Sequence, residues 1–590
     1  MRHIKTIIRT EEEFLNSIAQ ATVQPVVVID TEYHKTETWG KARIIGVSWG
    51  FPQGPDFISF YAPFRHEEFP TSWNLDPSLI DNFNRITGTH VYHNFMADYT
   101  IFMHEGVDVS RRHIFDTMVA SHLINENEIS FSLDNLSRKY FKSRKLSLRD
   151  LEKDVGWESI HPLLMGEYAC TDVYLTYRHY IRCKAGLQHQ ELENLYEDYE
   201  KFIKVLAKVV NRGLHIDVDL ARTLQEEGLK ELNRIQAKLG FKPSSQQRVA
   251  KYLHDTLGVP VRFKTKKGAP STSSLHLRRY SDAYPEVKDF VSEVLQYRSV
   301  DKAVSTWYQG FLDKRGVDGL LHPGLTVVGG GTEDTGGTVT GRLSCRVPNL
   351  QQIPRRGPTR RLFVDPPRRR LVELDFSQAE LRLIGYYLDK IGDPTVANAY
   401  REGVDIHVVT SEKMQLTKSL DYKAARQVGK TCNFSLAYRA GPKQLQTILY
   451  RDGGLDAPID QVTTWHRAWH AAYPGISELN IRAERQAVKQ GFVKFWNGRR
   501  RHLQGREECY KAFNSIIQGG VGQVLVYAMI EIDKQFPHLQ MVLTVHDSIL
   551  FYMEESELDE LVPEVVSCME KIPTERFGIP FKVDFKFYSE

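Results

Sequence analysis

The chain has 590 residues, 41% of them hydrophobic and 26% charged, and its formal net charge at pH 7 is only +3. This length predicts several domains, and the composition is that of a folded globular protein. The six cysteines form no CxxC pair, so we expect neither a disulfide framework nor a structural zinc site. We find no signal or transit peptide and no apolar run of the ~18 residues that a membrane span needs, so we expect a cytoplasmic protein, in a bacterium or an infected host cell.

The small net charge conceals local runs of arginine, which could bind nucleic acid. For any single run, a solvated surface is the commoner explanation, so the runs do not identify a nucleic-acid-binding protein by themselves. The runs are Arg355-Arg356, Arg360-Arg361, Arg368-Arg369-Arg370 and Arg499-Arg500-Arg501.

Residues 1–187 have the pattern of an α/β domain. Apolar runs at 26–29, 44–47 and 57–60 predict three strands at hairpin-like distances. A fourth strand at 90–92 leads into helical sequence, and strands followed by helices indicate an α/β fold.

Four acidic side chains of this region fall where strands or helices would bring them together. Asp30 and Glu32 end the first strand two residues apart, so they share one face. Asp98 lies on the helix after the fourth strand, and Tyr168 and Asp172 lie four apart on a later helix. Two metal ions held by such acids could activate water for phosphodiester hydrolysis, with Tyr168 orienting the water. For Asp30 and Glu32 alone, two surface acids at a strand end are the simpler interpretation.

In this order, the residues resemble the DEDDy class of 3′→5′ exonucleases, which share a ribonuclease-H-like fold. The resemblance covers residues 20–185 and implies proofreading at strand ends with two Mg²⁺ ions. Asp116 falls between the second and third motifs, and we interpret it as structural support. The metal ligands and catalytic residues that the resemblance implies are Asp30, Glu32, Asp98, Asp172 and Tyr168.

Residues 188–310 are predicted to be mainly helical. The segment 192–210 has apolar residues at helical spacing, and 263–274 is a basic interruption rich in Gly, Pro and Ser. A helical hairpin with a basic tip would grip a phosphate backbone. A spacer with a flexible loop is an equally good interpretation.

Residues 319–590 contain a second pair of strand-end aspartates. A strand at 371–374 ends in Asp375, and a strand at 541–545 ends in His546 and Asp547. If both strands belong to one sheet, two metals there would activate a primer 3′-hydroxyl and neutralise a triphosphate. A lone strand-end Asp is more often a cap or turn residue.

Between these aspartates, Arg426, Lys430, Phe434 and Tyr438 recur every four residues. Each step of four advances a helix by ~40°, so the four residues form one slanted stripe. Two cations followed by two aromatics suit a nucleotide, with its phosphates at one end and its base at the other. An isolated stripe of this kind would more simply be an amphipathic helix with an aromatic core end.

The stripe, however, lies among segments that resemble family A DNA polymerases, the DNA polymerase I type. Residues 426–438 resemble the fingers helix, 375–382 the first palm motif and His546-Asp547 the second. Residues 338–344 and 348–354 match a further signature in the same order. The implied architecture is a right hand behind the exonuclease at 1–187, with the thumb at 188–318, the palm at 319–405 and 505–590, and the fingers at 406–504.

The resemblance implies a role for each matching position. Two Mg²⁺ ions, for which Mn²⁺ could substitute, would be held by Asp375, Asp547 and the backbone carbonyl of Phe376. The positions implied for the incoming dNTP are Arg426, Lys430 and His407 at the triphosphate, Phe434 against the sugar and base, Glu380 against a 2′-hydroxyl and Tyr438 at the templating-base position until the fingers close. The positions implied for primer–template DNA are Arg342, Asn349, Gln351, Asn514, Gln518 and His546. We expect a monomer, and a replication helicase or single-strand-binding protein of unknown identity as a partner.

The sequence departs from the family pattern at positions that leave the implied metal ligands untouched. Arg439 replaces a glycine after Tyr438, Ser548 replaces the glutamate of the second palm motif, and Tyr510-Lys511 replaces Glu-Arg. These changes bear on template positioning, on the primer end and on fidelity. The chain also starts directly with the exonuclease region and has no long thumb insertion, an architecture that we expect of a phage or mobile-element polymerase.

Three other functions are compatible with parts of the pattern. The first is a 3′→5′ exonuclease whose polymerase-like half only binds DNA; the intact set of Asp375, Arg426, Lys430 and Asp547 argues against it. The second is a template-dependent RNA polymerase, which Glu380 and the exonuclease residues disfavour. The third is a non-catalytic replication scaffold.

Overall fold

The computed structural model describes the chain except for residues 35, 37, 68, 70–72, 144–147, 149–155, 330–337, 355–356 and 589–590. The Arg355-Arg356 run therefore lies outside the described residues.

The N-terminal part is built on a mixed sheet. In the described part of the chain its strands are β1 (Arg2–Ile7), β2 (Val26–Tyr33), β3 (Ile44–Gln53), β4 (Asp56–Pro63), β5 (Thr89–Tyr92) and β6 (Ile114–Asp116). Their order is β1-β4-β3-β2-β5-β6, and β2 runs antiparallel to β3 but parallel to β5. The four predicted strands are confirmed as β2 to β5. The sequence did not predict β1, whose polar residues become a strand by pairing in parallel with β4.

Helices pack around this sheet. The first of them begins with a capping box in which Thr10 and Glu13 satisfy each other's backbone N–H groups. They are α1 (Glu11–Thr22), α2 (Phe95–His104), α3 (Thr117–Ile124), α4 (Leu133–Phe141) and α5 (Pro162–His189). The long helix α5 packs against β2, β3 and β4, which brings its residues over the end of β2.

The predicted helical middle region is confirmed, and it has a small apolar core of its own around Leu277, Tyr280 and Val294. Its basic interruption forms an exposed loop closed by a bridge between Lys264 and Pro270. The helices are α6 (Glu193–Arg212), α7 (Val218–Leu239), α8 (Gln246–Lys251), α9 (Ser274–Ala283), α10 (Lys288–Lys302) and α11 (Gln309–Asp313).

The C-terminal part contains a second, antiparallel sheet of four strands among the described residues. These strands are β9 (Arg369–Ser377), β12 (Gln540–Val545), β13 (Ser548–Glu554) and β14 (Lys582–Phe587), in the order β12-β13-β9-β14. The predicted strands are confirmed as β9 and β12, but the unpredicted β13 separates them. Shorter strands form two separate pairs, β7 (Leu325–Thr326) with β8 (Ser344–Cys345) and β10 (Phe492–Lys494) with β11 (Arg500–His502).

Helices make up most of the rest of the C-terminal part, and one of them corrects the expectation about apolar runs. The helical stretch Arg506–Gln535 is long and apolar enough to cross a membrane, but most of it is buried in the protein core. The helices are α12 (Ala379–Lys390), α13 (Thr395–Arg401), α14 (Ile406–Lys413), α15 (Tyr422–Leu436), α16 (Pro442–Gly453), α17 (Ile459–Ala472), α18 (Pro474–Gln490), α19 (Ala512–Gln535) and α20 (Leu558–Phe577).

Candidate active sites

Three of the predicted carboxylates meet at the end of β2. Ligand oxygens of Asp30, Glu32 and Asp172 all lie within 4.8 Å of one another. The two strand residues share a face of β2, and α5 supplies Asp172 from above. Carboxylate oxygens converging at this distance fit a hard divalent cation such as Mg²⁺.

The fourth predicted carboxylate, Asp98, is next to this cluster but is held by the backbone of β2. Its Oδ1 accepts hydrogen bonds from the Thr31 amide at 3.0 Å and the Thr31 hydroxyl at 2.7 Å. Burial, and then the negative charge of Asp30, raise the pKa of Asp98 well above its ordinary value. A cation bound beside these acids would therefore stabilise the ionised form of Asp98.

Tyr168 also lies at this cluster. Burial, followed by the charges of Asp172 and Glu32, raises its pKa above the ordinary value, so the phenol keeps its proton at neutral pH. A protonated phenol beside the acids can orient a water molecule by a hydrogen bond, but it cannot act as the base.

Asp116 has the structural role that the sequence predicted. It caps α3 by accepting the amides of Met118 at 2.8 Å and Val119 at 3.1 Å. Its second oxygen accepts the amide of Phe95 at 2.8 Å, which fixes the start of α2 and hence the position of Asp98.

The second pair of aspartates meets through a tight hairpin. Ser548 of β13 pairs with Asp375 of β9, so Asp547 lies one residue before that pair, in the two-residue turn between β12 and β13. His546, the other turn residue, has φ 55°. The Phe376 amide donates to the Asp547 carbonyl at 3.3 Å. The prediction that the two aspartates belong to one sheet is therefore confirmed.

These aspartates lie in a cleft of about 710 Å³, which we call the main cleft. One wall is the four-stranded sheet with its turn, and the other is α15 with the start of α14. The wall residues used below are Gln351, Arg360, Glu373, Asp375, Phe376, Glu380, His407, Arg426, Lys430, Phe434, His546, Asp547, Lys586 and Tyr588. The cleft thus joins acids on one wall to cations and an aromatic ring on the other.

The α15 wall confirms three of the four members of the predicted stripe. Arg426 is held by an ion pair with Asp405 at 2.7 Å, Lys430 is exposed, and the Phe434 ring is 36% exposed. The fourth, Tyr438, does not continue the helix as predicted, because α15 ends at Leu436.

His407 lies beneath this wall, with its ring centre 5.8 Å from that of Phe434. Burial lowers its pKa to about 4, although Asp405 acts in the opposite direction. The imidazole is therefore neutral at pH 7 and offers a phosphate a hydrogen bond rather than a positive charge.

A chain of polar contacts crosses the cleft floor. Glu380 accepts hydrogen bonds from Arg342 at 2.7 Å and from the Tyr438 hydroxyl at 2.5 Å. Arg342 also lies 3.6 Å from Asp547. Burial raises the pKa of Asp547 and the Arg342 charge partly offsets this rise, so a bound cation would favour the ionised carboxylate.

Apart from Arg342, the predicted DNA-contacting residues separate into two groups. Gln351 donates to the Thr544 carbonyl at 3.2 Å and lines the main cleft with His546, while Asn349 accepts the Gln351 amide at 3.2 Å. Asn514 and Gln518 lie one turn apart at the start of α19, and they are not among the described residues that line the cleft.

The last arginine run is not a solvated surface, which corrects the simplest interpretation of it. Arg499 is 2% exposed and Arg501 is 6% exposed. Arg501 and His502 both pair with Glu126, at 2.8 and 2.9 Å, and so tie β11 to the N-terminal part. Burial alone would raise the pKa of Glu126, but His502 and Arg501 together lower it to about 2. No sequence pattern indicated this partnership, because its members lie far apart in the chain.

Comparison with known protein families gives two matches. Residues 218–589 match the family model of DNA polymerase family A, and residues 5–184 match that of a 3′-5′ exonuclease.

Similar proteins include the DNA polymerase I of Synechocystis sp., which is 27% identical over 92% of this chain, and that of Rhizobium leguminosarum, 25% identical over 96%. The chain spans 57% and 59% of the lengths of these two relatives. A solved structure, the POL domain of Pol1 from M. smegmatis in complex with DNA primer-template and dNTP, has a TM-score of 0.81 at 19% identity and covers 99% of each chain. This last likeness concerns the fold.

Proposed function

Because the chain belongs to DNA polymerase family A, we propose that it is a DNA-templated DNA polymerase with its own 3′→5′ proofreading exonuclease. It would add dNTPs to a primer 3′ end in the main cleft and remove mispaired ends at the Asp30 cluster. The observation that carries this proposal is the main cleft itself, where Asp375 and Asp547 face Lys430 and Phe434 of α15. The fold neighbour from M. smegmatis binds primer-template and dNTP, which agrees with this proposal.

In this proposal the four-stranded sheet is the palm, with boundaries at 319–405 and 505–590. The segment 406–504, including α15, forms the fingers, and 188–318 forms the thumb, whose exposed basic loop at 263–274 would contact the DNA backbone. Residues 1–187 form the exonuclease domain.

For nucleotidyl transfer, the protein's own residues hold the reactants in line. Lys430 and Arg426 bind the triphosphate, and neutral His407 donates a hydrogen bond to it. Phe434 presents an exposed ring to the sugar and base of the incoming dNTP. Asp375, Asp547 and the Phe376 carbonyl would hold two Mg²⁺ or Mn²⁺ ions, which when bound activate the primer 3′-hydroxyl and stabilise the charge of the leaving pyrophosphate.

Sugar selection falls to Glu380. Its carboxylate is fixed by Arg342 and Tyr438, so it would crowd a 2′-hydroxyl without moving aside. Tyr438 would keep the templating-base position until the fingers close. Arg342, Asn349, Gln351, Asn514, Gln518 and His546 would contact primer–template without reading its sequence.

For hydrolysis, Asp30, Glu32, Asp98 and Asp172 would hold the divalent ions that generate the attacking hydroxide. Tyr168 would orient the attacking water through its protonated hydroxyl. These side chains lie at a different sheet from the main cleft, so the two reactions are separable by mutation.

Primer extension tests the proposal. Purified full chain, a labelled primer–template and Mg²⁺ are incubated with dNTPs, with rNTPs or with no nucleotide. We expect extension with dNTPs, little with rNTPs, and shortening of the primer without nucleotides. Equal extension with rNTPs would favour the RNA polymerase alternative, and shortening without any extension would favour an exonuclease with a non-catalytic DNA-binding module.

A further inference from the structure

The structure shows a carboxylate close to position 548, where the family's glutamate is replaced by serine. Ser548 is buried, and its hydroxyl lies 3.1 Å from Oε1 of Glu373 on the neighbouring strand β9. Since Ser548 pairs with Asp375, Glu373 is its diagonal neighbour across the two strands. The negative charge absent from β13 is thus present two residues before Asp375.

Glu373 is 5% exposed, and a buried carboxylate of this kind needs compensating partners. Lys586 of β14 pairs directly with Glu373 in the strand register, and its ammonium lies 3.2 Å from Oε2. The Arg360 guanidinium hydrogen-bonds the same oxygen. Two cations and one hydroxyl therefore converge on one acid.

These contacts hold the two cations in fixed places. Arg360 also donates to the Tyr588 carbonyl at 2.7 Å, and its guanidinium stacks 3.9 Å from the centre of the Tyr588 ring. The Lys586 side chain is 49% exposed and lines the main cleft together with Arg360 and Glu373. The palm wall therefore has a pair of cations of its own, across the cleft from Arg426 and Lys430.

We propose that Glu373 is a positioning residue that holds Arg360 and Lys586 as a phosphate-binding pair on the palm wall. This inference rests on the proposed polymerase function. The two cations take a phosphate group that enters the cleft beside Asp375. Two sources have this chemistry, the phosphodiester of the primer strand and the triphosphate of the dNTP.

Arg360 and Lys586 line a cleft that binds a polyanion, so the direction in which Glu373→Gln changes DNA binding distinguishes two explanations. Glu373→Gln removes a negative charge from a cleft that binds a polyanion, so electrostatics alone would tighten DNA binding. If Glu373 positions the two cations, the same substitution should instead weaken binding, because the cations lose the acid that fixes them. Glu554→Gln is the matched control: Glu554 pairs with Arg369 at 2.5 Å on the same two strands, at the end away from the cleft.

The experiment measures primer–template affinity against salt and the KM for dNTP, in wild type, Glu373→Gln, Lys586→Gln, the double variant and Glu554→Gln. We expect Glu373→Gln and Lys586→Gln each to weaken either DNA binding or dNTP binding about tenfold. The double variant should bind no more weakly than either single variant, because both substitutions disrupt the same cation pair. Glu554→Gln should match wild type. If the primer strand supplies the phosphate, DNA affinity falls and the Lys586→Gln salt slope falls by about 1. If the dNTP supplies it, the KM for dNTP rises and DNA affinity is unchanged.

A second variant separates loss of the carboxylate from a failure to fold. Glu373→Ser combined with Ser548→Glu returns the carboxylate to the family's position, and we expect it to restore most of the affinity that Glu373→Ser alone loses. Tighter DNA binding by Glu373→Gln, or no change in either affinity, overturns the proposal if wild type extends primers. A wild type that fails to extend contradicts the proposed polymerase function instead, while the salt-dependent DNA binding still reports on the cation pair.

Discussion

The two carboxylate sites differ in what surrounds their acids. At the Asp30 cluster three ligand oxygens lie within 4.8 Å, and the neighbouring Asp98 has its pKa raised by burial and by Asp30. In the main cleft, Asp375 and Asp547 face Arg342, Arg426 and Lys430.

The difference follows from the substrates that we propose. A hydrolytic site needs acids for metal ions and a water, because its phosphodiester is already attached to the strand. A polymerase site must in addition bind a mobile triphosphate, which brings several negative charges with it. Cations opposite the acids are therefore required only in the main cleft.

The largest effect should come from breaking the contact between the N-terminal part, which holds the Asp30 cluster, and the C-terminal part, which holds the main cleft. We expect Glu126→Gln to lower the free energy of unfolding by about 3–5 kcal/mol, because it leaves the buried Arg501 without its counter-charge. Calorimetry should then show two thermal transitions, one for each region. The control is Glu128→Gln, whose partners Lys139 and Tyr140 both lie in the N-terminal part. A single transition in both variants would contradict the role of Glu126 as a tie.

The same carboxylate should give the wild type a pH dependence. The pKa of Glu126 is lowered from 4.5 to about 2, so its contribution to stability is fully present above pH 4.5 and is lost as the pH falls through about 2. Denaturant midpoints between pH 6 and pH 2 should fall less steeply in Glu126→Gln than in wild type. Parallel curves would show that other groups cause the acid sensitivity.

A smaller effect should separate the chemistry of the two sites. We expect Lys430→Ala to raise the KM for dNTP roughly 10–100-fold, since a hydrogen bond to a charged group contributes about 1.5–3 kcal/mol. Exonuclease digestion should not change. Lys443→Ala, at an exposed position on the next helix, should leave both activities intact. Equal loss of synthesis and digestion in Lys430→Ala would contradict the separation.

Sugar discrimination should show an effect of similar or smaller size. Glu380→Ala should reduce the preference for dNTPs over rNTPs by roughly 10–30-fold, because the space beside the 2′ position opens. The comparison of kcat/KM for one dNTP and its rNTP measures it. An unchanged ratio would remove Glu380 as the selecting residue.

The smallest effect is expected at Arg439, which has φ 63° where the family has glycine. Arg439→Gly should relieve about 1 kcal/mol of backbone strain but remove an exposed ion pair with Glu484 of similar or smaller worth. We expect a change in unfolding free energy of less than about 1 kcal/mol. A larger loss would give the ion pair a structural role.

The sequence predicted those parts of the sites that follow a local pattern. Asp30 and Glu32 follow from period-two spacing, and Lys430 and Phe434 follow from helical spacing. The sequence could not predict that the Tyr438 hydroxyl would hydrogen-bond Glu380, because that contact depends on where α15 ends. The burial of Arg499 and Arg501 was also not predictable, since it depends on Glu126 and His122 of the N-terminal part and on Tyr199 of α6. The sequence analysis did not identify β13, because its apolar residues begin directly after the turn residues His546 and Asp547 and were not separated from that motif.

The most direct test of two independent sites uses one mispaired primer–template. Wild type, Asp30→Ala with Glu32→Ala, and Asp375→Ala with Asp547→Ala are each incubated with Mg²⁺, with and without dNTPs. We expect wild type to remove the mispair and then extend, the first variant to stall at the mispair but extend a matched primer, and the second to shorten the primer under both conditions. Loss of both activities in either double variant, with the fold intact, would contradict the account.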